Sequence, residues 1–210
     1  MTREQESAVV RAVLDGDVNA FEMLVREYEK NVYNLALRMV GNSEDAADMS
    51  QEAFIKAYNS LNSFRGDSKF SVWLYRIVSN VCLDFIRSRK RKQTVSLSVE
   101  DDNGEDVELD IADDTQSPER LMDKQLTRDA VRRGLASLPP GQRQILLLRE
   151  IQGLSYDEIA EVLNVEAGTV KSRIFRARKK LSAFLLEDGN IPDFISSSKL
   201  RGVLQTKVNS

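Results

Sequence analysis

The sequence predicts an all-α chain of two small helical domains joined by a flexible acidic linker, and three observations carry that prediction. Apolar residues recur at three- and four-residue spacing through most of the chain, which is the period of a helix with one buried face. The four prolines fall at positions 118, 139, 140 and 192, outside the long periodic segments, where they break no helix interior. Between residues 93 and 119 the periodicity stops and ten carboxylates stand without one basic residue. Such a segment buries too little apolar surface to offset its ordering entropy.

The elements follow in order. Residues 1–92 are assigned to the first domain. In it, Asn19 to Met39 places Phe21, Leu24, Val25, Tyr28, Val32, Leu35 and Met39 on one helical stripe. Gly41-Asn42 stops that helix, and Ser43 is a candidate cap for the next, which runs to about Leu61. Asn62 to Lys69 is a polar loop containing Gly66, followed by a helix from about Phe70 to Arg89. Residues 93–119 form the linker and 120–186 the second helical domain. Residues 187–210 are a tail of weak periodicity with no assigned role.

Composition excludes several functions. The 210 residues include no histidine and one cysteine, so His-based acid/base catalysis, a Ser-His-Asp triad and an internal disulfide are ruled out. No catalytic residue, metal site or cofactor is expected. No apolar run approaches the roughly 20 residues needed to span a bilayer, and MTREQESAVVRAVLDGD is charged where a signal peptide is apolar. A cytoplasmic chain with no membrane insertion is the expectation.

The net charge of -3 hides a segmental pattern. Residues 1–52 hold 5 basic and 11 acidic groups, 53–92 hold 9 and 2, 93–119 hold 0 and 10, and 120–210 hold 16 and 10. Two basic blocks are thus separated by an acidic one, and each can face a different partner.

The sharpest motif is GLSYDEIAEVLNVEAGTVKSRIFRARKKL, residues 153–181. Ser155 and Glu158 have capping-box spacing, and Ile159, Ala160, Val162 and Leu163 supply a buried side. After a turn at Asn164 to Gly168, a basic helix starts near Thr169, which is the helix-turn-helix pattern. At 100° per residue, Ile174, Ala177 and Leu181 lie within about 40° of Val170 and form its core stripe. Ser172, Phe175, Arg176 and Lys179 lie opposite, with Lys171, Arg173, Arg178 and Lys180 on the flanks. Arg pairs bidentately with a guanine edge, Phe suits a thymine methyl, and flanking cations neutralise phosphates. The bland alternative, a solvated basic face, does not explain cap, turn and core stripe in one unit.

Two further surfaces stand out in the first domain. In DAADMSQEAFIKAY, Ala46, Ala47, Ala53, Phe54 and Ala57 are expected to point inward, while Asp45, Asp48 and Glu52 align on the other face beside Met49 and Ile55. An acidic stripe with apolar edges suits a protein interface, and an ordinary solvated face remains the competing reading. In residues 62–92, Trp73, Arg76, Asn80, Asp84 and Arg87 form an expected outward stripe ending in Arg89 to Lys92, with Phe64 and Phe70 nearby. That stripe is either a base-stacking surface or partly core.

Together these motifs resemble bacterial sigma factors of the extracytoplasmic function (ECF) group. Residues 18–92 look like the sigma-2 domain and 120–184 like the sigma-4 domain, with the two in tandem across the acidic linker. The resemblance implies an initiation factor without bond chemistry of its own. It implies docking on core RNA polymerase, at the beta flap and at the beta-prime clamp helices, the latter by Asp45, Asp48, Met49, Gln51 and Glu52. It implies recognition and melting of single-stranded -10 promoter DNA by Asn62, Phe64, Arg65, Lys69, Trp73, Arg76, Asn80, Asp84 and Arg87. Duplex reading at -35 falls to Thr169, Lys171, Ser172, Arg173, Phe175, Arg176 and Lys179. An anti-sigma factor is an implied partner, and the linker would thread the polymerase cleft and RNA exit channel. The alternative is a stand-alone helix-turn-helix transcriptional regulator, whose N-terminal domain senses a ligand or dimerises.

Overall fold

The computed structural model describes residues 1–95 and 118–187, with side chains over 1–92 and 126–187. The described residues are helical, with turns and no strand. None of their helices is long and apolar enough to cross a membrane.

The first unit begins with α1 (Arg3–Leu14), opened by a reciprocal cap in which Thr2 and Gln5 satisfy each other's backbone N–H. The helices α2 (Ala20–Val40), α3 (Ser43–Asn59) and α4 (Phe70–Val95) pack on one another, and α1 lies across α2 and α4. The expected α2 stripe is buried apart from half-buried Val25. Gly41 ends the helix at φ 84°, donating to the Leu37 carbonyl at 2.8 Å, a left-handed stop that costs glycine little. Asn42 caps α3 instead of Ser43, its side chain accepting from the Asp45 N–H at 3.0 Å. Ala46, Ala53 and Ala57 are fully buried, and their small size lets α3 approach its neighbours closely. A 3-10 turn, Leu61–Ser63, leads into the loop before α4.

The second unit comprises α5 (Pro118–Ser137), α6 (Pro140–Leu146) running into a wide π-helical turn (Leu147–Ile151), α7 (Tyr156–Leu163) and α8 (Ala167–Glu187). α5 crosses α8 at Gly134, where a Cβ would stand 2.7 Å from Leu181 Cδ1. Arg143 ties this unit together: its Nε donates to the Leu135 carbonyl at 2.8 Å and its Nη2 to Ala136 at 2.6 Å. Its Nη1 reaches the Met39 carbonyl at the end of α2.

The two units also pack through α4 and α7, and their buried apolar residues form one continuous cluster. The expected helix end near Arg89 is extended to Val95, and α5 starts at Pro118. The rest of the acidic linker and the tail after Glu187 lie outside the described residues.

Candidate nucleic-acid interface

The helix-turn-helix forms by the caps its sequence carries. Ser155 Oγ accepts from the Glu158 N–H at 3.1 Å, and Glu158 Oε2 accepts from the Ser155 N–H at 2.8 Å. That backbone hydrogen bond, aided by Lys69, holds the Glu158 carboxyl below its ordinary pKa. Asn164 turns the chain at φ 51°, a left-handed position that asparagine tolerates. α8 starts at Ala167, two residues ahead of the expected Thr169.

On α8 the inward stripe is as spaced: Val170, Ile174 and Ala177 are buried and Leu181 half-buried. On the other side Lys171, Ser172, Arg173, Arg176 and Lys179 are exposed, and Phe175 is 53% exposed. Thr169 is half-buried. Arg178, on the flank, is engaged by Glu150, its Nε donating at 3.0 Å. A phenyl ring half in water among cations presents an apolar edge that a thymine methyl in a groove would cover.

The second surface departs from expectation in an informative way. Arg76 and Asn80 are exposed, and Arg87 pairs with Asp84 at 3.2 Å on the same outer face. Asn62, Arg65 and Lys69 are exposed on the loop. Trp73, expected outward, is buried at 7% exposure. The loop folds back so that Phe64 stands 5.4 Å from its ring centroid, and Phe70, one turn earlier on α4, stands 5.5 Å away. Covering an indole with two rings removes far more apolar area than solvating it, so Trp73 supports Phe64 and does not itself face outward. Phe64 is half-buried, Phe70 fully buried. Lys69 Nζ lies 2.9 Å from Glu158 Oε1, linking this loop to the cap of α7.

The acidic face of α3 is narrower than its sequence pattern. Met49 is buried, not exposed, because it shares the 46-50-53-57 stripe with the packed alanines. Ala47, expected inside, is exposed. Asp48 and Gln51 are exposed. Glu52 pairs with Lys56 at 2.6 Å, and Asp45 is half-buried against Arg89 at 2.9 Å. Cys82 lies fully buried, and burial pushes its thiol up to about 12, which keeps it protonated and unreactive.

Three structural groups were not singled out in the sequence: α1 with its buried Glu6, the Arg143 latch, and the Lys69–Glu158 pair. Only α1 carries a readable signal, in the Thr2–Gln5 cap and the spacing of Val9, Val10 and Val13.

Residues 24–92 match the family model for sigma-70 region 2, and residues 128–181 match that for sigma-70 region 4. The chain is 41% identical over 189 residues to the RNA polymerase sigma-H factor of Pseudomonas aeruginosa, covering 88% of this chain and 96% of that protein. It is 42% identical over 177 residues to the ECF RNA polymerase sigma-E factor of Escherichia coli, covering 84% and 92%. Among solved structures it is similar to CnrH in complex with the cytosolic domain of CnrY, at 28% identity and a TM-score of 0.63 over 88% of this chain and 99% of that one. It is also similar to the sigma factor RpoE bound to the anti-sigma factor NepR from Bartonella quintana, at 25% identity and a TM-score of 0.63 over 80% and 98%.

Proposed function

The chain belongs to the sigma-70 family, in its ECF group, as a non-catalytic transcription initiation factor, and we propose that its two helical units divide promoter recognition between them. The exposed face of α8 carries the reading: Lys171, Ser172, Arg173, Phe175, Arg176 and Lys179, backed by a buried stripe, are placed for the major groove of the -35 duplex. Thr169 contributes at the helix start. The loop residues Asn62, Phe64, Arg65 and Lys69, with Arg76, Asn80 and the Asp84–Arg87 pair on α4, engage the unstacked -10 strand. There cations follow the backbone and the edge of Phe64 offers a ring to a base. Asp48, Gln51 and Glu52, with the 53%-exposed Ile55 beside them, form the docking face for the beta-prime clamp helices of core polymerase. The second unit meets the beta flap.

The functional modules are residues 1–92 and 120–186, with 93–119 as an acidic tether in the polymerase channel. The similar sigma factor solved with the anti-sigma factor NepR supports an anti-sigma factor as a partner of this chain.

The test is run-off transcription with purified core polymerase on a genomic library. Adding the chain yields discrete promoter-specific starts, and Arg176→Ala weakens -35-dependent starts about 5- to 150-fold, the worth of one bidentate base contact. Core polymerase that gains no specific initiation refutes the reading.

A further inference from the structure

The loop placed at the -10 strand is held from an unexpected side. α1 lies ahead of the segment matching region 2, which begins at residue 24. Two of its side chains, three residues apart and therefore on one helical face, grip the loop at its middle and at its C-terminal end. Arg3 Nη2 donates to the Gly66 carbonyl at 2.8 Å and to the Asp67 carbonyl at 3.2 Å. Glu6, only 6% exposed, accepts from the Tyr28 hydroxyl through Oε1 and from the Phe70 N–H through Oε2 at 3.3 Å.

A buried carboxylate is expensive unless its environment repays the desolvation. Here the Phe70 N–H is one of the unpaired donors at the start of the 26-residue α4, where the helix dipole also favours negative charge. Glu6 therefore fixes where α4 begins. From Phe70 the constraint passes to Phe64, whose ring centroid lies 5.6 Å away, and both rings bracket Trp73. At the first grip Gly66 adopts φ 77°, a conformation with little penalty for glycine, so the loop's shape depends on what holds it.

We propose that α1 is a splint for the -10 loop, in which Glu6 and Arg3 are positioning residues that pre-set Phe64 and Arg65 for the single strand. This rests on the -10 reading of that loop. Pre-setting removes an ordering cost that a free loop would pay at each binding event. The splint therefore changes strand capture and leaves -35 and polymerase binding alone.

The variants are Arg3→Ala, Arg3→Lys and Glu6→Gln in the full chain. Arg3 is exposed, so its removal spares the core, and Glu6→Gln keeps the shape while removing the charge. The first readout is amide exchange of residues 66–70 in the free chain, expected to quicken about fivefold or more in Arg3→Ala and Glu6→Gln, the scale of one net hydrogen bond. The second is binding of a labelled single-stranded -10 fragment, selected from random sequence by the wild-type holoenzyme. Its affinity should drop about 5- to 10-fold, Arg3→Lys should recover part of the loss, and affinities for core polymerase and for -35 duplex should stay unchanged. Unaltered exchange at 66–70 in both variants overturns the splint. So does quickened exchange with wild-type strand binding, or an equal loss of polymerase and -35 binding. A wild-type holoenzyme that selects no strand overturns the -10 reading instead, and with it the role of the splint, while exchange still reports whether α1 holds the loop.

Discussion

Replacing Arg143 by Met keeps most of the apolar stem and removes a guanidinium that serves the ends of two helices. Its Nε and Nη2 satisfy the Leu135 and Ala136 carbonyls in the last turn of α5, and its Nη1 the Met39 carbonyl in the last turn of α2. The Ala136 and Met39 carbonyls lie among the last four of their helices, the Leu135 carbonyl also accepts from the Leu138 N–H at 3.2 Å, and a cation there meets the negative end of each dipole. A hydrogen bond to a charged group is worth about 1.5–3 kcal/mol net. Three such bonds from one side chain do not add, since water reaches part of the site and the group is desolvated only once. Arg143 is half-buried and burial lowers its pKa from the ordinary arginine value, so the charge costs something to keep there. About 2–4 kcal/mol of lost stability is the resulting expectation, or a fall in Tm of roughly 4 °C or more for a chain of this size. Arg143→Lys should regain the smaller part, because an ammonium cannot span three carbonyls with a planar fork. Calorimetry on the full chain, with amide exchange to locate the loss, is the assay. A drop under about 1 °C in Arg143→Met, or full recovery by Lys, would show that the latch geometry carries no energy.

Two further outcomes follow from the same structure. Ile174→Ala on the buried face of α8, at 1% exposure, should destabilise the chain by about 2–5 kcal/mol, measured by urea unfolding; a neutral result would mean that the core stripe is misplaced. Glu158 has its folded pKa depressed below the ordinary 4.5, chiefly by the Ser155 backbone N–H. Its carboxylate therefore contributes stability that is fully present above about pH 4.5 and lost as pH falls through the folded value. The stability gap between wild type and Glu158→Gln should close below pH 4.5 in pH-stepped denaturation, and a constant gap would contradict this.

The helix-turn-helix was almost wholly legible in the sequence because its determinants are local. A capping box spans four residues, a left-handed turn one, and a core stripe repeats every three or four, so each is set by neighbours in the chain. The family resemblance rests on the same kind of signal. The first unit was harder. The spacing placed Trp73 on the outer side of α4, and the return of Phe64 over that helix, beside Phe70 one turn earlier, buried it. Met49 read as an edge of the acidic face, yet the width of the packed arc on α3 took it inside. Asp45, acidic in the pattern, is met by Arg89, 44 residues away.

The sequence by itself determined the all-α class, the exposed basic face of α8 and the alternating charge blocks, because helix period and segment composition are properties of short stretches. Which side chains of the 62–69 loop and the outer face of α4 stay in water, and what holds that loop, were decided only by tertiary packing. Glu6 meets Phe70 across 64 residues and Arg143 meets Met39 across 104. Contacts closed over such distances leave no periodicity behind, because their geometry exists only once the core has brought the helices together.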